Sequence, residues 1–508
     1  MESSKIKAIL LIFLSAIAAI YLGITAATAQ IETLIWVFGG LTLVTCFTLG
    51  RRVYLILPIT ASIGLVLPLP GNFSSGLIAQ GLFIGFSVLL FLVRKLNAKI
   101  EISRLEICGL LLLASVLQAY MRNPVGLKIF GTVTVGAKPY IIVFVTMLTA
   151  AVISSLKIKP NDLKLWVKLS FLGSILNFSL GVVGMLIPQI GLYMGATFGA
   201  NVAETQTSVD GRATRIGFLR GISYGLANWI SSHRNPLTAC FHPLIAPLIL
   251  FTLAASTMSG YRSAAIYVGL IYLLGICYRA GFKSVIVSVV GFVMGLALLS
   301  LTNSITPLPI NIQRSLTFLP GTWDRSLVQE SQQSSEWRVE MWKEALLSER
   351  WIKNKILGDG LGFTRQELET MLDNDMHKMN ATSRSGLTYQ QESYMISGGY
   401  HSGPVQTIRT TGYVGLTILL ASMICVATHA HRQIQRCRNT EWYPVALFIG
   451  IPLIVLPFFW TFVFGTFNEG LADVLIGGAL VRLMERNLPL PAYSSRYKQL
   501  ILQSKVSA

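Results

Sequence analysis

Charge is the first thing this sequence lacks. Asp, Glu, Lys and Arg together make up 13% of its 508 residues, while 53% are hydrophobic. A soluble globular domain carries roughly 25% charged residues. An ionisable side chain at the centre of a bilayer costs at least about 2.5 kcal/mol, so this shortage excludes a soluble class and points to a membrane domain. Acids are scarcer than bases, 23 against 41, which leaves a net charge of +18. In a soluble chain that excess would suggest nucleic acid. Here, cationic loops that hold helix ends on one side of a membrane account for it, and no nucleic-acid motif is present. Cysteine is also sparse. The six are Cys46, Cys108, Cys240, Cys277, Cys425 and Cys437. None lies in the polar stretch 304–402, which excludes a structural disulfide there, and no CxxC pair suggests a metal or redox centre. There is no Walker loop, no GxGxxG at a strand end, no HExxH and no GxSxG, so the chain shows no nucleotide-binding machinery of its own. Internal repeats and low-complexity tracts are absent too.

What is present is a succession of apolar runs. A helix needs about 20 apolar residues to cross the hydrocarbon. Such runs fall near 8–28, 32–50, 53–69, 76–93, 105–121, 139–156, 164–187, 217–233, 238–258, 262–278, 284–303, 404–428, 442–464 and 466–484. The expected fold is therefore all-α, a polytopic transmembrane bundle of about fourteen helices with one large, partly helical outer loop. The opening segment, with Lys5 and Lys7 before an apolar run and Ala-Thr-Ala at 27–29, has the outline of a signal peptide but reads as an uncleaved first helix. Alternate connections are basic. They contain Arg51 and Arg52, then Arg94, Lys95, Lys99 and Arg104, then Lys157, Lys159 and Lys164, then Arg234, Arg279 and Lys283, and finally Arg432, Arg436 and Arg438. The short connections at 29–31, 70–75 and 465 have no Lys or Arg. This asymmetry predicts cytoplasmic termini and an outward-facing loop 304–402 in an inner membrane. Five segments follow: N-terminal helices 1–199, core helices 200–303, the loop 304–402, C-terminal helices 403–484 and a cytoplasmic tail 485–508.

Several outer segments break the charge rule, with Arg122, Arg212, Arg215, Arg220, Arg262 and Arg338. Guanidinium is permanently charged and grips phosphate in two-pronged geometry, so several around one cavity would hold a diphosphate. Interfacial snorkelling or a carboxylate partner is the plain alternative for each one. His401, in GGYHSGPVQTIRTTGYVGL where the loop re-enters the membrane, is the one histidine at an outer interface. Its imidazole could accept a hydroxyl proton, or simply cap a helix. Glu469 and Asp473 lie one turn apart on the last helix and share a face. They could pair with an outer arginine, orient His401, touch substrate or relay protons. Residues 335–351 read as an amphipathic helix capped by Ser335, with Trp337, Met341, Ala345 and Trp351 on its apolar face. Gly358, Gly360 and Gly362 then mark a tight turn. Asp373-Asn374-Asp375 has the form of a weak metal-binding DxD.

Taken in order, these features resemble the O-antigen ligase/polymerase superfamily of bacterial membrane glycosyltransferases. That family carries His, then Asn, Ser or Gln, nine residues and Gly at the end of its large periplasmic loop. The counterparts are His401, Ser402 and Gly412, followed by Tyr-Val-Gly415. Its Arg-x-x-x-Trp helix and Gly-x-Gly turn look like Arg338 to Trp342 and Gly358 to Gly362. Its Ser-Arg-Gly/Ser-Ala element looks like Tyr261-Arg262-Ser263-Ala264, with tyrosine in place of serine. Gly217 to Ala227 loosely matches a further element without its Pro-Asn. The resemblance covers roughly 200–430.

The resemblance implies transfer or polymerisation of a glycan from an undecaprenyl-diphosphate-linked donor to an acceptor hydroxyl at the periplasmic face. The acceptor would be a glycan or lipid A-core. The reaction would be inverting and would need no metal or cofactor. Arg262 and Arg338, helped by Arg215 and Arg220, would clamp the diphosphate. His401 would act as base, with Glu469, Asp473 and Gly412 in support. Polysaccharide-assembly proteins would be its partners. The main alternative is a transporter or flippase for a lipid-linked or polyanionic substrate, whose polar groups should converge at mid-membrane rather than at the outer end. A structural partner in an envelope complex is a third reading.

Overall fold

The computed structural model describes residues 31–66, 73–99, 101–126, 136–198, 205–207, 213–364, 394–396 and 398–489. The N-terminal run 8–28, the DxD at 373–375, Arg212 and most of the tail 485–508 lie outside the described residues. The described residues are helical almost throughout. In order come α1 (Ile31–Leu49), a 3-10 turn (Gly50–Leu55), α2 (Ile56–Ile63), α3 (Ser75–Leu92), α4 (Arg104–Arg122), α5 (Lys138–Ser155), α6 (Pro160–Leu186) and α7 (Pro188–Phe198). A small antiparallel hairpin follows, β1 (Thr205–Thr207) with β2 (Ala213–Ile216). Then come α8 (Gly217–His233), α9 (Pro236–Ala239), α10 (Ala246–Met258), α11 (Arg262–Ala280) and α12 (Phe282–Ile305). The loop contributes α13 (Ile310–Leu316) and α14 (Arg325–Leu347), and the chain finishes with α15 (Gly403–Cys437), α16 (Tyr443–Phe462) and α17 (Phe467–Asn487). Among the described residues, nine helical runs are long and apolar enough to cross a membrane.

Contacts at the helix ends define two ends of the bundle. At the loop end, Gln118 of α4 donates to the Leu357 carbonyl and the Leu361 amide donates to Tyr140 Oη of α5. The Ile216 amide reaches the Ser259 carbonyl there as well. At the opposite end, Lys99 donates from its amide to Ser155, Arg279 bonds the Ser231 carbonyl and Arg436 bonds that of Glu485. This second end collects the basic connections. Asp162 is neutralised there by Arg52 at 3.1 Å and by Tyr54 Oη at 2.7 Å. Arg482 and Arg486 share Glu101.

Three expectations about helix boundaries need correcting. The run 238–258 is not one helix: α9 ends at Ala239 and α10 starts at Ala246, because Pro243 and Pro247 cannot continue a helical hydrogen-bond ladder. The third run is shortened to α2, which stops at Gly64 in a left-handed conformation (φ 63°). The amphipathic loop helix starts ten residues earlier than expected, capped by Asp324, whose side chain accepts the Ser326 amide at 2.8 Å. Ser335 is an interior residue, its hydroxyl bonded to the Ser331 carbonyl at 3.1 Å. Trp351 lies beyond the helix end. α7 was not anticipated; Pro188 starts it after α6 has ended.

Candidate active site at the loop end

The core of the loop is a small apolar cluster of Met341, Ala345, Ile352, Met395, Tyr400 and Val405. Tyr400 is fully buried. Its carbonyl accepts the Trp342 indole N–H at 2.7 Å, which ties α14 to the start of α15. His401 comes next, with φ +49°, the left-handed region where a residue with a side chain is uncommon. That turn lifts the imidazole out of the cluster before Ser402 caps α15. Trp460 holds the neighbouring helix starts together. It packs against Gly403 and Gly470, and its indole N–H bonds the Thr466 carbonyl at 2.8 Å. Gln406, one turn into α15, donates to the Gly398 carbonyl at 3.1 Å and accepts the Phe467 amide at 2.8 Å.

Gly412 explains the rest of the loop's placement. It breaks α15 with φ 71° and ψ −175°, so nearby backbone groups lose their helical partners. The turn 355–360 fills the break. Asp359 and Gly360 donate from their amides to the carbonyls of Arg409 and Thr410 at 2.6 and 2.9 Å. Tyr413 and Val414 donate to those of Lys355 and Ile356 at 2.8 and 3.2 Å. A side chain at 412 would place its Cβ 2.1 Å from the Ile356 oxygen, and one at 358 would come within 2.4 Å of the Thr411 nitrogen. Both glycines are required by close approach as well as by positive φ. Arg409, not singled out from the sequence, is buried. It bonds the Gly360 carbonyl at 3.0 Å and lies 4.2 Å over the Phe363 ring. Arg122, an outer arginine in search of a reason, has one: it donates to the carbonyls of Leu357 and Gly358.

His401 sits in an aromatic box. Tyr394 and Trp337 present their rings edge-on to it, with centroids at 4.7 and 5.9 Å, and stack on each other at 5.7 Å. No hydrogen bond to the imidazole forms among the described residues, so its nitrogens are open to an incoming hydroxyl. Burial, then the charges of Arg338 and Arg215, hold the imidazole pKa down at about 4. It is a neutral base across the physiological range. Arg338 is itself pushed below its usual range by burial and by Arg262 and Arg215. Arg314 is lowered likewise, by burial first and by Arg215 and Arg262, while Glu330 opposes the shift. Arg215, Arg262, Arg314 and Arg338 are thus one electrostatic cluster beside His401. Arg314 was missed in the sequence; it is paired with Glu330 of α14. No ion pair forms to Arg215, Arg220, Arg262 or Arg338 among the described residues. Arg215 Nε and Arg338 Nε are buried without a hydrogen-bond partner.

Arg215 and Arg220 both lie over the Tyr261 ring, at 5.5 and 4.7 Å. Glu469 and Asp473 are not partners of His401. Glu469 closes a cap on its own helix, accepting from Thr466 Oγ1 at 3.0 Å, and Asp473 lies one turn deeper in the bundle. No group of three or more His, Cys, Asp or Glu able to hold a metal ion occurs among the described residues. Residues 245–420 match a family described as O-antigen ligase. The matched stretch includes Arg262, Arg314, Arg338, His401 and Gly412 and leaves out Arg215, Arg220, Glu469 and Asp473. No curated protein matches the chain.

Proposed function

We propose that the chain, whose residues 245–420 match a family described as O-antigen ligase, is an inverting glycosyltransferase whose donor is a glycan on an undecaprenyl diphosphate. The observation that carries this reading is a set of arginines, Arg215, Arg220, Arg262 and Arg338, that form no ion pair among the described residues, near a neutral histidine whose ring nitrogens make no hydrogen bond among them. An anionic ligand with charge to spread over several oxygens is what such a set would neutralise.

Arg338, Arg262 and Arg215 grip the diphosphate, and Arg220 approaches it over Tyr261. His401 takes the proton of the acceptor hydroxyl. That oxygen forms the new bond at the anomeric carbon from the face opposite the diphosphate. The carbon–oxygen bond to the diphosphate breaks, its electron pair leaves on the diphosphate oxygen, and the arginines stabilise the added charge. A lipid carrier supplies the activated sugar, so no nucleotide site is required, and the arginines stand where a metal would otherwise supply positive charge. The acceptor is a glycan or lipid A-core, and polysaccharide-assembly proteins are the expected partners. The basic connections support a reading with both termini in the cytoplasm and the active face outside the inner membrane. A transporter reading calls for polar groups converging at mid-membrane; the arginines and His401 converge at the loop end.

The test uses purified protein, an isoprenyl-diphosphate-linked glycan and a hydroxyl acceptor. Wild type should release free isoprenyl diphosphate and form a glycoside of inverted configuration, and His401→Ala should do neither. Donor carried across a vesicle membrane unchanged, with no glycoside formed, would overturn the proposal in favour of transport.

A further inference from the structure

Three arginines of the site are held against one short turn. The turn 257–261, between α10 and α11, offers its carbonyls to two other segments. The Ile216 amide, beside Arg215, donates to the Ser259 carbonyl at 3.0 Å. From α13, Ser315 Oγ donates to the Thr257 carbonyl at 2.7 Å, and the Asn311 side chain donates to that of Met258 at 3.3 Å. Arg262 follows the same turn as the first residue of α11. Arg314, next to Ser315, joins this group by position, since α13 packs on both β2 and α11. Its side chain is only 10% exposed.

One acid reaches the group. Glu330, in the second turn of α14, pairs with Arg314. Other loop acids are spent on backbone: Asp324 caps α14, and Asp359 accepts the amides of Lys353 and Asn354 at 2.8 and 2.9 Å. The two partners are unequal. Arg314 is buried beside like charges, where an anion is needed. The Glu330 side chain is 50% exposed, so water can take it back at little cost and the pair is weak. Glu330 also precedes Arg338 by eight residues on the same helix, about 12 Å along its axis.

The geometry points to Arg314 as a further diphosphate-binding residue and to Glu330 as its resident counter-ion, which covers the guanidinium until the donor's diphosphate displaces it. This inference rests on the transferase reading. A diphosphate brings more charge than one carboxylate and offers oxygens in the two-pronged geometry that guanidinium prefers. On exchange, Arg314 turns from α14 to the ligand and Glu330 returns to water; no covalent bond changes and no proton moves. While the site is empty, the pair spares the interior an uncompensated buried charge. The consequence has a definite sign. Removing the Glu330 charge should strengthen anion binding, and it should do so through Arg314.

Binding of farnesyl diphosphate to the full chain in phosphatidylcholine nanodiscs tests this. Glu330→Gln should bind about fivefold more tightly than wild type, the scale of one half-exposed ion pair. Misfolding cannot produce such a gain. Glu330→Asp, whose reach is one methylene shorter, should gain about twofold, and it carries the comparison if Glu330→Gln melts at a lower temperature. Glu336→Gln removes an exposed acid elsewhere on α14 and should leave the affinity unchanged. Arg314→Gln should bind about tenfold more weakly, and adding Glu330→Gln to it should change nothing further. A Glu330 variant that melts like wild type and binds no more tightly overturns the exchange. So does a gain that persists in Arg314→Gln, because Glu330 would then act only by repulsion across the site. If wild type, Glu330→Gln and Arg338→Gln all fail to bind farnesyl diphosphate, the transferase reading falls and this inference falls with it.

Discussion

Replacing Gly412 with alanine probes how the loop is fixed. The residue sits at φ 71°, a region that costs a residue with a Cβ about 1–2 kcal/mol. The new methyl would lie 2.1 Å from the Ile356 oxygen and 2.5 Å from the Leu357 nitrogen. Both contacts are backbone, so they are relieved only if the turn moves away. Moving it stretches the four hydrogen bonds that join residues 355–360 to the break in α15. Each contributes about 1 kcal/mol net, so losing two of them and adding the strain gives a destabilisation of about 3–4 kcal/mol. Hydrogen exchange reads the effect locally. The amides of Asp359, Gly360, Tyr413 and Val414 should be protected in wild type and exchange at least about a hundredfold faster in Gly412→Ala, while amides in the middle of α16 stay unchanged. Equal protection at those four amides in the two proteins would refute the reasoning, because the seam would then not depend on a glycine.

Other outcomes follow from the same contacts. Removing the hydroxyl in Tyr140→Phe leaves the Leu361 amide without its acceptor; an apparent stability loss of about 1–2 kcal/mol in thermal unfolding is expected. Cations beside His401 disfavour its protonated form, so the acid limb of kcat/KM should fall near pH 4 rather than 6.5. Arg338→Gln should move that limb upward only in part, because burial is the larger cause. The linked effect on stability has a definite sign. The unfolded chain binds the proton between pH 6.5 and about 4 while the folded one does not, so the residue's contribution makes stability fall as pH drops through that window. Transfer activity should survive EDTA, and loss of activity that a divalent ion restores would contradict the arginine assignment.

The helical class was legible because lipid demands long apolar runs, and charge asymmetry between connections located their ends. Boundaries failed where a local rule overrode hydropathy: Pro243 and Pro247 split an apolar run, and Asp324 rather than Ser335 capped the loop helix. His401 and Arg338 were visible as polar residues at a membrane edge, and the ordered motifs gave them a common context. Gly412 was visible only as a spaced glycine; that it opens α15 to receive the 355–360 turn depends on pairing across some fifty residues, which local patterns do not encode. Arg409 and Arg314 were hidden for a similar reason. A single charge in an apolar stretch looks alike whether it braces a carbonyl, as Arg409 does, or joins a cluster, as Arg314 does. Glu469 and Asp473 share a face of α17, as their spacing implied, and the part Glu469 plays in capping that helix through Thr466 depends on a side-chain bond that spacing does not show.

The most direct measurement is the surface glycan profile of the host on a gel, comparing wild type, a deletion, and the deletion complemented with wild type or His401→Ala at matched protein level. A transferase predicts that the deletion and His401→Ala both lose the polymer. A single repeat left on the lipid anchor would then identify a polymerase, and long chains stranded on undecaprenyl diphosphate a ligase. A normal ladder restored by His401→Ala would contradict the account, because the imidazole would then be part of the scaffold and not of the chemistry.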